Sequence, residues 1–170
     1  MKRPDSSEYA NYYGGYVRLI TEDDILTVFR QQADEMLALI DRLPEDKGDF
    51  AYADGKWKVK ELLGHIVDAE RIFAYRMHRF SHGDAQPLTG FDQDIYINNG
   101  RYAERDIESL LKEFVFQRHA NILMMDAFRE SDWDLKGTAS DTEVTVRALA
   151  FIMAGHVRHH INILNERYLD

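Results

Sequence analysis

Gly155-His156-Val157-Arg158-His159-His160 lies within an apolar run, residues 144–169, that contains no Pro and a single Gly. The run reads as one long helix. Its apolar stripe falls at Leu149, Ile152/Met153, His156 and Ile163/Leu164, at the three-to-four spacing of a buried face. His156 and His160 sit on that stripe one turn apart, so both point inward from the same side. Two neutral imidazoles at this spacing can hold one divalent metal ion. A functional site then needs a third ligand from another inward-facing helix.

Working back along the chain, three further helices are predicted. Thr21-Glu22-Asp23-Asp24 reads as an N-cap followed by acids in the first turn, and a helix runs from it to about Leu43, ended by Pro44. A polar loop and Trp57 precede a second helix over residues 59–81. Its stripe is Leu62, His65, Ile66, Ala69, Ile72/Phe73 and Arg76, and Gly83-Asp84 stops it. A connection over residues 83–103 is long for a helical bundle. The third helix spans residues 104–129, burying Ile107, Leu110/Leu111, Phe114, Ile122, Met125 and Phe128. No strand signal is read anywhere. Four amphipathic helices predict an all-α four-helix bundle in one domain, residues 1–170. Residues 1–20, with Tyr9, Tyr12, Tyr13 and Tyr16 around Gly14-Gly15, are expected to be an arm that the Gly pair keeps from being one continuous helix. Its rings are expected to pack on the body or on a partner.

The third ligand is His65. A lone His on an apolar face is usually a hydrogen-bonded core residue, but three inward His on two helices are costly to bury without a shared role. His78 and His82 have the same i,i+4 spacing. However, thirteen residues turn His78 about 220° from His65 and carry it about 20 Å along the helix, so that pair is assigned to the surface. His119 lies off its stripe. His159 points about 100° away from His160 and could only flank the site. Asp68, three residues after His65, could accept a hydrogen bond from a ligating imidazole and fix its tautomer. Asp92 and Asp94 could close over the metal from the long connection. Glu70 and Arg71 read as a salt-bridged or capping pair.

Composition narrows the chemistry. Apolar residues make up 45% and charged residues 30%, and there are only three Pro, an ordinary globular mixture. A net charge of −9 with no basic cluster argues against nucleic-acid binding. The absence of Cys excludes disulfides, thiolate ligands and a cysteine nucleophile. Met1-Lys2-Arg3-Pro4-Asp5 opens no apolar signal core, and no apolar run approaches the roughly 20 residues of a membrane span. A cytoplasmic protein with no membrane partner is expected.

Taken together, these segments resemble the DinB-like superfamily of metal-binding four-helix bundles, in its second domain type, over nearly the whole chain. The resemblance is carried by Arg3-Pro4 with Glu8-Tyr9-Ala10, Tyr12-Tyr13 and Tyr16, and by Lys56-Trp57 ahead of Lys60-Glu61-Leu62-Leu63-Gly64-His65. It continues through Asp68-Ala69-Glu70-Arg71, Phe73-Ala74-Tyr75-Arg76, Gly90-Phe91-Asp92, Gly155-His156, His159-His160 and Glu166-Arg167-Tyr168-Leu169. Lys58 stands where the family often has a capping Ser or Thr. The resemblance implies an up-down-down-up bundle with its long connection between helices 2 and 3, and a metal triad of His65, His156 and His160. It also implies a divalent ion, commonly nickel or zinc, and frequent homodimers. Relatives include thiol transferases that use bacillithiol, mycothiol or a similar small thiol, and maleylpyruvate isomerases. Three functions stay open: a thiol S-transferase acting on electrophiles in detoxification or stress response, a metal-dependent hydrolase, and a non-enzymatic structural or regulatory metal protein.

Overall fold

The computed structural model describes residues 1–84 and 86–169, so Ala85 in the expected connection and Asp170 at the expected domain end lie outside the described residues. The main helices are α2 (Ile25–Ala38), α3 (Val59–Ser81), α5 (Ile107–Asp126) and α6 (Val146–Ile163), with short helices α1 (Gly14–Leu19) and α4 (Gln93–Asn99) outside the bundle. Their order and directions follow from cross-helix contacts. Gln32 on α2 reaches the Ala154 carbonyl on α6, and Arg42 beyond α2 reaches Asn165, so these two elements run parallel. Glu70 on α3 reaches Arg118 on α5, while Asp68, two residues earlier, meets Tyr102 ahead of α5; these two also run parallel. Arg30 pairs with Asp126 while Gln32 pairs with Arg118, making α2 and α5 antiparallel. The bundle is up-down-down-up, as the resemblance implied.

Local chemistry sets the helix ends. Asp24, not Thr21, caps α2 by accepting from the Leu26 amide, and the helix gives way to a 3₁₀ turn, Leu39–Asp41, before Pro44. At α3, Glu61 reaches back to the Lys58 amide at 2.8 Å, which supplies the cap that Lys58 cannot. Gly83 takes φ +73° just past its end. The predicted final helix is two elements: α6 stops at Ile163 and the chain continues as a π-helical turn, Leu164–Leu169.

A hairpin, β1 (Lys136–Ala139) and β2 (Thr142–Thr145), stands where no strand was expected. Ser140 and Asp141 turn it with φ of 52° and 60°, the left-handed pair that suits a tight hairpin. Leu88 pairs alongside Ala139, which ties the long connection to the hairpin. The arm is not one helix, but its break falls at Tyr9-Ala10, and Gly14-Gly15 opens α1 instead. The arm is pinned by Glu8, which accepts from Thr145 Oγ1 at 2.8 Å and pairs with Arg147 at 2.9 Å. Tyr9, Tyr13 and Tyr16 pack against the core, while Tyr12 is exposed. Among the described residues, no helix is long and apolar enough to cross a membrane.

Candidate metal centre

α3 and α6 pack together, and their stripes place His65 opposite His156 and His160, all three buried. Their potential ligand atoms all lie within 4.8 Å of one another. His65 Nε2 is 2.9 Å and His160 Nε2 3.1 Å from His156 Nε2. An imidazole nitrogen has one in-plane orbital, as lone pair or as N–H, so His156 Nε2 cannot satisfy both neighbours with hydrogen bonds. A shared cation satisfies all three. The three nitrogens therefore form a donor set that could hold one divalent ion.

The surroundings keep the rings neutral and therefore able to ligate. Burial, then His159, pulls His65 down to about 4. Burial, then His65 and His159, pulls His160 down to about 2. Burial and the neighbouring His160 and His65 hold His156 well below its ordinary value. Trp57 packs on His65 with ring centroids 4.8 Å apart, and Tyr16 stands edge-on to His156 at 5.4 Å. Burial, then Tyr12, pushes the Tyr16 hydroxyl up to about 12, so it stays a donor at neutral pH.

α3 and α6 each carry a Gly just before a His of the cluster, Gly64 and Gly155, and the structure gives each a neighbour. A Cβ on Gly155 would lie 2.1 Å from the Tyr16 carbonyl oxygen, so this glycine is what lets α1 lie against α6. A Cβ on Gly64 would lie 2.4 Å from the Tyr102 ring. The Tyr102 hydroxyl donates to Asp68. Burial raises the Asp68 carboxyl above its ordinary value, against the lowering effect of that hydroxyl.

The other sequence candidates fall elsewhere. Asp68 bonds Tyr102 and not an imidazole, and His160 Nδ1 is buried without a partner among the described residues. Asp92 and Asp94 are exposed, and Asp92 is occupied in capping α4 through the Asp94 and Ile95 amides. Phe91 and Gln93, on either side of Asp92, line the site cavity instead. A loop has no period from which that phase could be read. His159 is half-buried against Tyr16 and His160. His78 and His82 are exposed and contact each other. Glu70 does not pair with Arg71; it is buried against Arg118, and Arg71 reaches Glu113.

Two cavities flank the triad. One, of about 260 Å³, is bounded by His65, His156, Tyr12, Tyr16, Phe73, Arg76, Phe91 and Gln93 among others. The second, of about 250 Å³, meets His160 and is walled by Trp57, Tyr52, Lys56 and Tyr168. Arg76 and the hairpin residue Ser140 are site residues that the sequence did not single out as such. An arginine on an apolar stripe was the signal for the first; a residue in an unrecognised turn gave none for the second.

A search of curated protein sequences found no significant match. Among solved structures, YfiT from Bacillus subtilis, described as a probable metal-dependent hydrolase with an unusual four-helix bundle topology, superposes with a TM-score of 0.77. It is 13% identical, and the match covers 84% of this chain and 82% of that one. A mycothiol-dependent maleylpyruvate isomerase superposes with a TM-score of 0.67 at 14% identity. That match covers 81% of this chain but 58% of the isomerase, so the likeness spans little over half of that protein. At such identities these likenesses speak for the fold. The sequence pattern of the DinB superfamily matches residues 29–164, a segment holding His65, His156 and His160, and the chain belongs to that superfamily.

Proposed function

We propose that His65, His156 and His160 hold one divalent transition ion, nickel or zinc, and that the protein is a thiol S-transferase. In this reading a low-molecular-weight thiol forms a carbon–sulfur bond to an electrophile; the thiol proton departs with the leaving group in a substitution, or ends on the adjacent carbon when the π bond of an activated alkene is the bond broken. The observation that carries it is the composition of the two cavity walls: no Asp or Glu among the described lining residues. Hydrolysis of a stable bond is helped by a positioned base for the attacking water, whereas a thiol is already a far stronger acid than water. When bound, the ion lowers the pKa of a coordinated thiol further. The chain, having no Cys, takes its sulfur from outside.

The protein's own residues would orient and dry the reaction. Trp57 and Tyr16 cover the imidazoles, and Tyr16 keeps an O–H to donate. Cavities on two sides of the triad offer each reactant its own approach. A homodimer would cover Phe116 and Leu123, exposed seven residues apart on α5. We place the activity in detoxification or stress response, as the family resemblance suggests. A metal-dependent hydrolase is the second reading, favoured by the description of YfiT. A purely structural metal site would want a fourth protein ligand, and the metal-capable cluster among the described residues has three.

The test combines metal analysis with turnover. The purified parent should carry one ion per chain, and His156→Ala should lose it. The loaded parent should transfer a small thiol to an alkyl halide or activated alkene, and the stripped protein should not. Full occupancy with no turnover across thiols, alongside hydrolysis of an ester or amide, would replace this reading with the second.

A further inference from the structure

Arg76 is 3% exposed, yet no carboxylate among the described residues lies within ion-pair distance of it. The other two buried arginines of the bundle are paired: Arg118 has Glu70 at 2.7 Å, and Arg147 has Glu8 at 2.9 Å and Asp134 at 2.7 Å. Burying a guanidinium without an anion is costly. Arg76 is steered rather than neutralised: its Nη2 donates to the Thr89 carbonyl at 3.2 Å and to Ser140 Oγ at 3.0 Å. Those acceptors come from the long connection and the hairpin turn, the two segments joined by the Leu88–Ala139 pairing. Phe73 lies beneath the guanidinium, 5.9 Å from ring centroid to Cζ.

The helix aims this group at the histidines. At about 100° per residue, the eleven residues from His65 to Arg76 return to within about 20° of the same face. Helical side chains lean toward the N-terminus, which carries the guanidinium back along α3 toward His65. Both residues border one cavity, whose remaining walls are largely aromatic and contain no second Lys or Arg among the described residues.

We propose that Arg76 binds the carboxylate of a small reactant in this cavity, so that the substrate class is a monocarboxylate with an apolar or aromatic body. The inference rests on the reading of this site as a transferase centre. A single planar fork matches one carboxylate in charge and geometry, and the apolar remainder would lie along Phe73 and the tyrosines with its reactive atom toward His65 and His156.

Phenylacetate and its neutral analogue phenylacetamide are the probes, titrated calorimetrically into the metal-stripped protein so that no metal–carboxylate bond contributes. The parent should prefer phenylacetate, and Arg76→Gln should weaken it by roughly 10- to 100-fold while leaving phenylacetamide unchanged. Arg76→Lys, which keeps the charge without the fork, should keep the preference at reduced affinity and serves where the Gln variant does not fold. Equal binding of acid and amide by the parent, or equal binding of phenylacetate by parent and Arg76→Gln, would overturn the proposal. In the loaded enzyme, 4-(bromomethyl)benzoate against its methyl ester, and N-acetylcysteine against its amide, identify which reactant carries the carboxylate. An acid preference that Arg76→Gln abolishes marks the carrier, and no such preference in either pair counts against the proposal. Failure of the parent to take up metal would sink the transferase reading while leaving the stripped-protein titration to stand by itself.

Discussion

Two buried polar clusters sit side by side in the bundle and are built on opposite principles. In the first, Glu70 takes Arg118 on one oxygen and Asn121 on the other, each at 2.7 Å. Arg118 also donates to Gln32, whose amide in turn holds the Ala154 carbonyl, and lies between the rings of Phe29 and Phe114. Of this cluster only Arg118 Nε is left without an acceptor among the described residues. In the second, three neutral imidazoles turn their Nε2 atoms on one another with no arrangement of protons that satisfies all. Polar groups that complete each other inside the protein are scaffold. Polar groups that converge and stay incomplete are asking for something from outside.

The largest expected effect breaks the first cluster. Arg118→Met should leave Glu70 buried with Asn121 alone and cost about 3–5 kcal/mol in urea denaturation. Adding Glu70→Leu should recover most of that loss, because a pair of apolar side chains can replace a buried ion pair at little net cost. Equal stability of Arg118→Met and the parent would mean that the network is ornamental and the contrast false.

The second cluster should show itself through pH in the metal-free chain. His65 is pulled from 6.5 down to about 4 and His160 from 6.5 down to about 2, burial being the main cause in both. The unfolded chain therefore binds protons that the folded one refuses, and folding stability must rise with pH. Stability is complete above about pH 6.5 and falls below it, through about 4 for His65 and lower for His160. The slope approaches about 1.4 kcal/mol per pH unit for each histidine. His160→Leu should flatten the profile between pH 6.5 and 5, and saturating metal should move the fall to lower pH. A metal-free parent as stable at pH 5 as at pH 7 would remove the distinction between the clusters.

These two clusters were unequally legible in the sequence. The spacing of His156 and His160, with His65 on a second stripe, is a local pattern, and four long helices with clear stripes were enough to put the three rings together. The Glu70–Arg118 pair joins residues 48 positions apart, and nothing periodic marks a buried ion pair, so Glu70 read as a partner for its neighbour Arg71. The hairpin was missed because four-residue strands leave too short a run for alternation to show. Ser140-Asp141 is a weaker turn signal than a glycine pair. Asp92 and Asp94 carry the ligand-type groups of the long connection, but an irregular segment has no period to phase its facing, and the cavity takes Phe91 and Gln93 instead.

Gly155 lies at the junction of the clusters and offers the smallest and most local test. Ala154 gives its carbonyl to Gln32 of the scaffold, His156 belongs to the triad, and Gly155 between them admits the Tyr16 backbone. In Gly155→Ala the new Cβ would meet main chain and not a side chain that can rotate away, so α1 must lift from α6 at about 1–3 kcal/mol. At Gly64→Ala the nearest atoms are those of the Tyr102 side chain and not main chain, so the change should cost less. Hydrogen exchange should therefore rise across α1 in Gly155→Ala, with Tyr16 drawn off His156, while amides of α5 around Arg118 keep their protection. If exchange rises equally in α1 and α5, scaffold and site are one cooperative unit, and the arm is part of the core instead of a cover laid over the histidines.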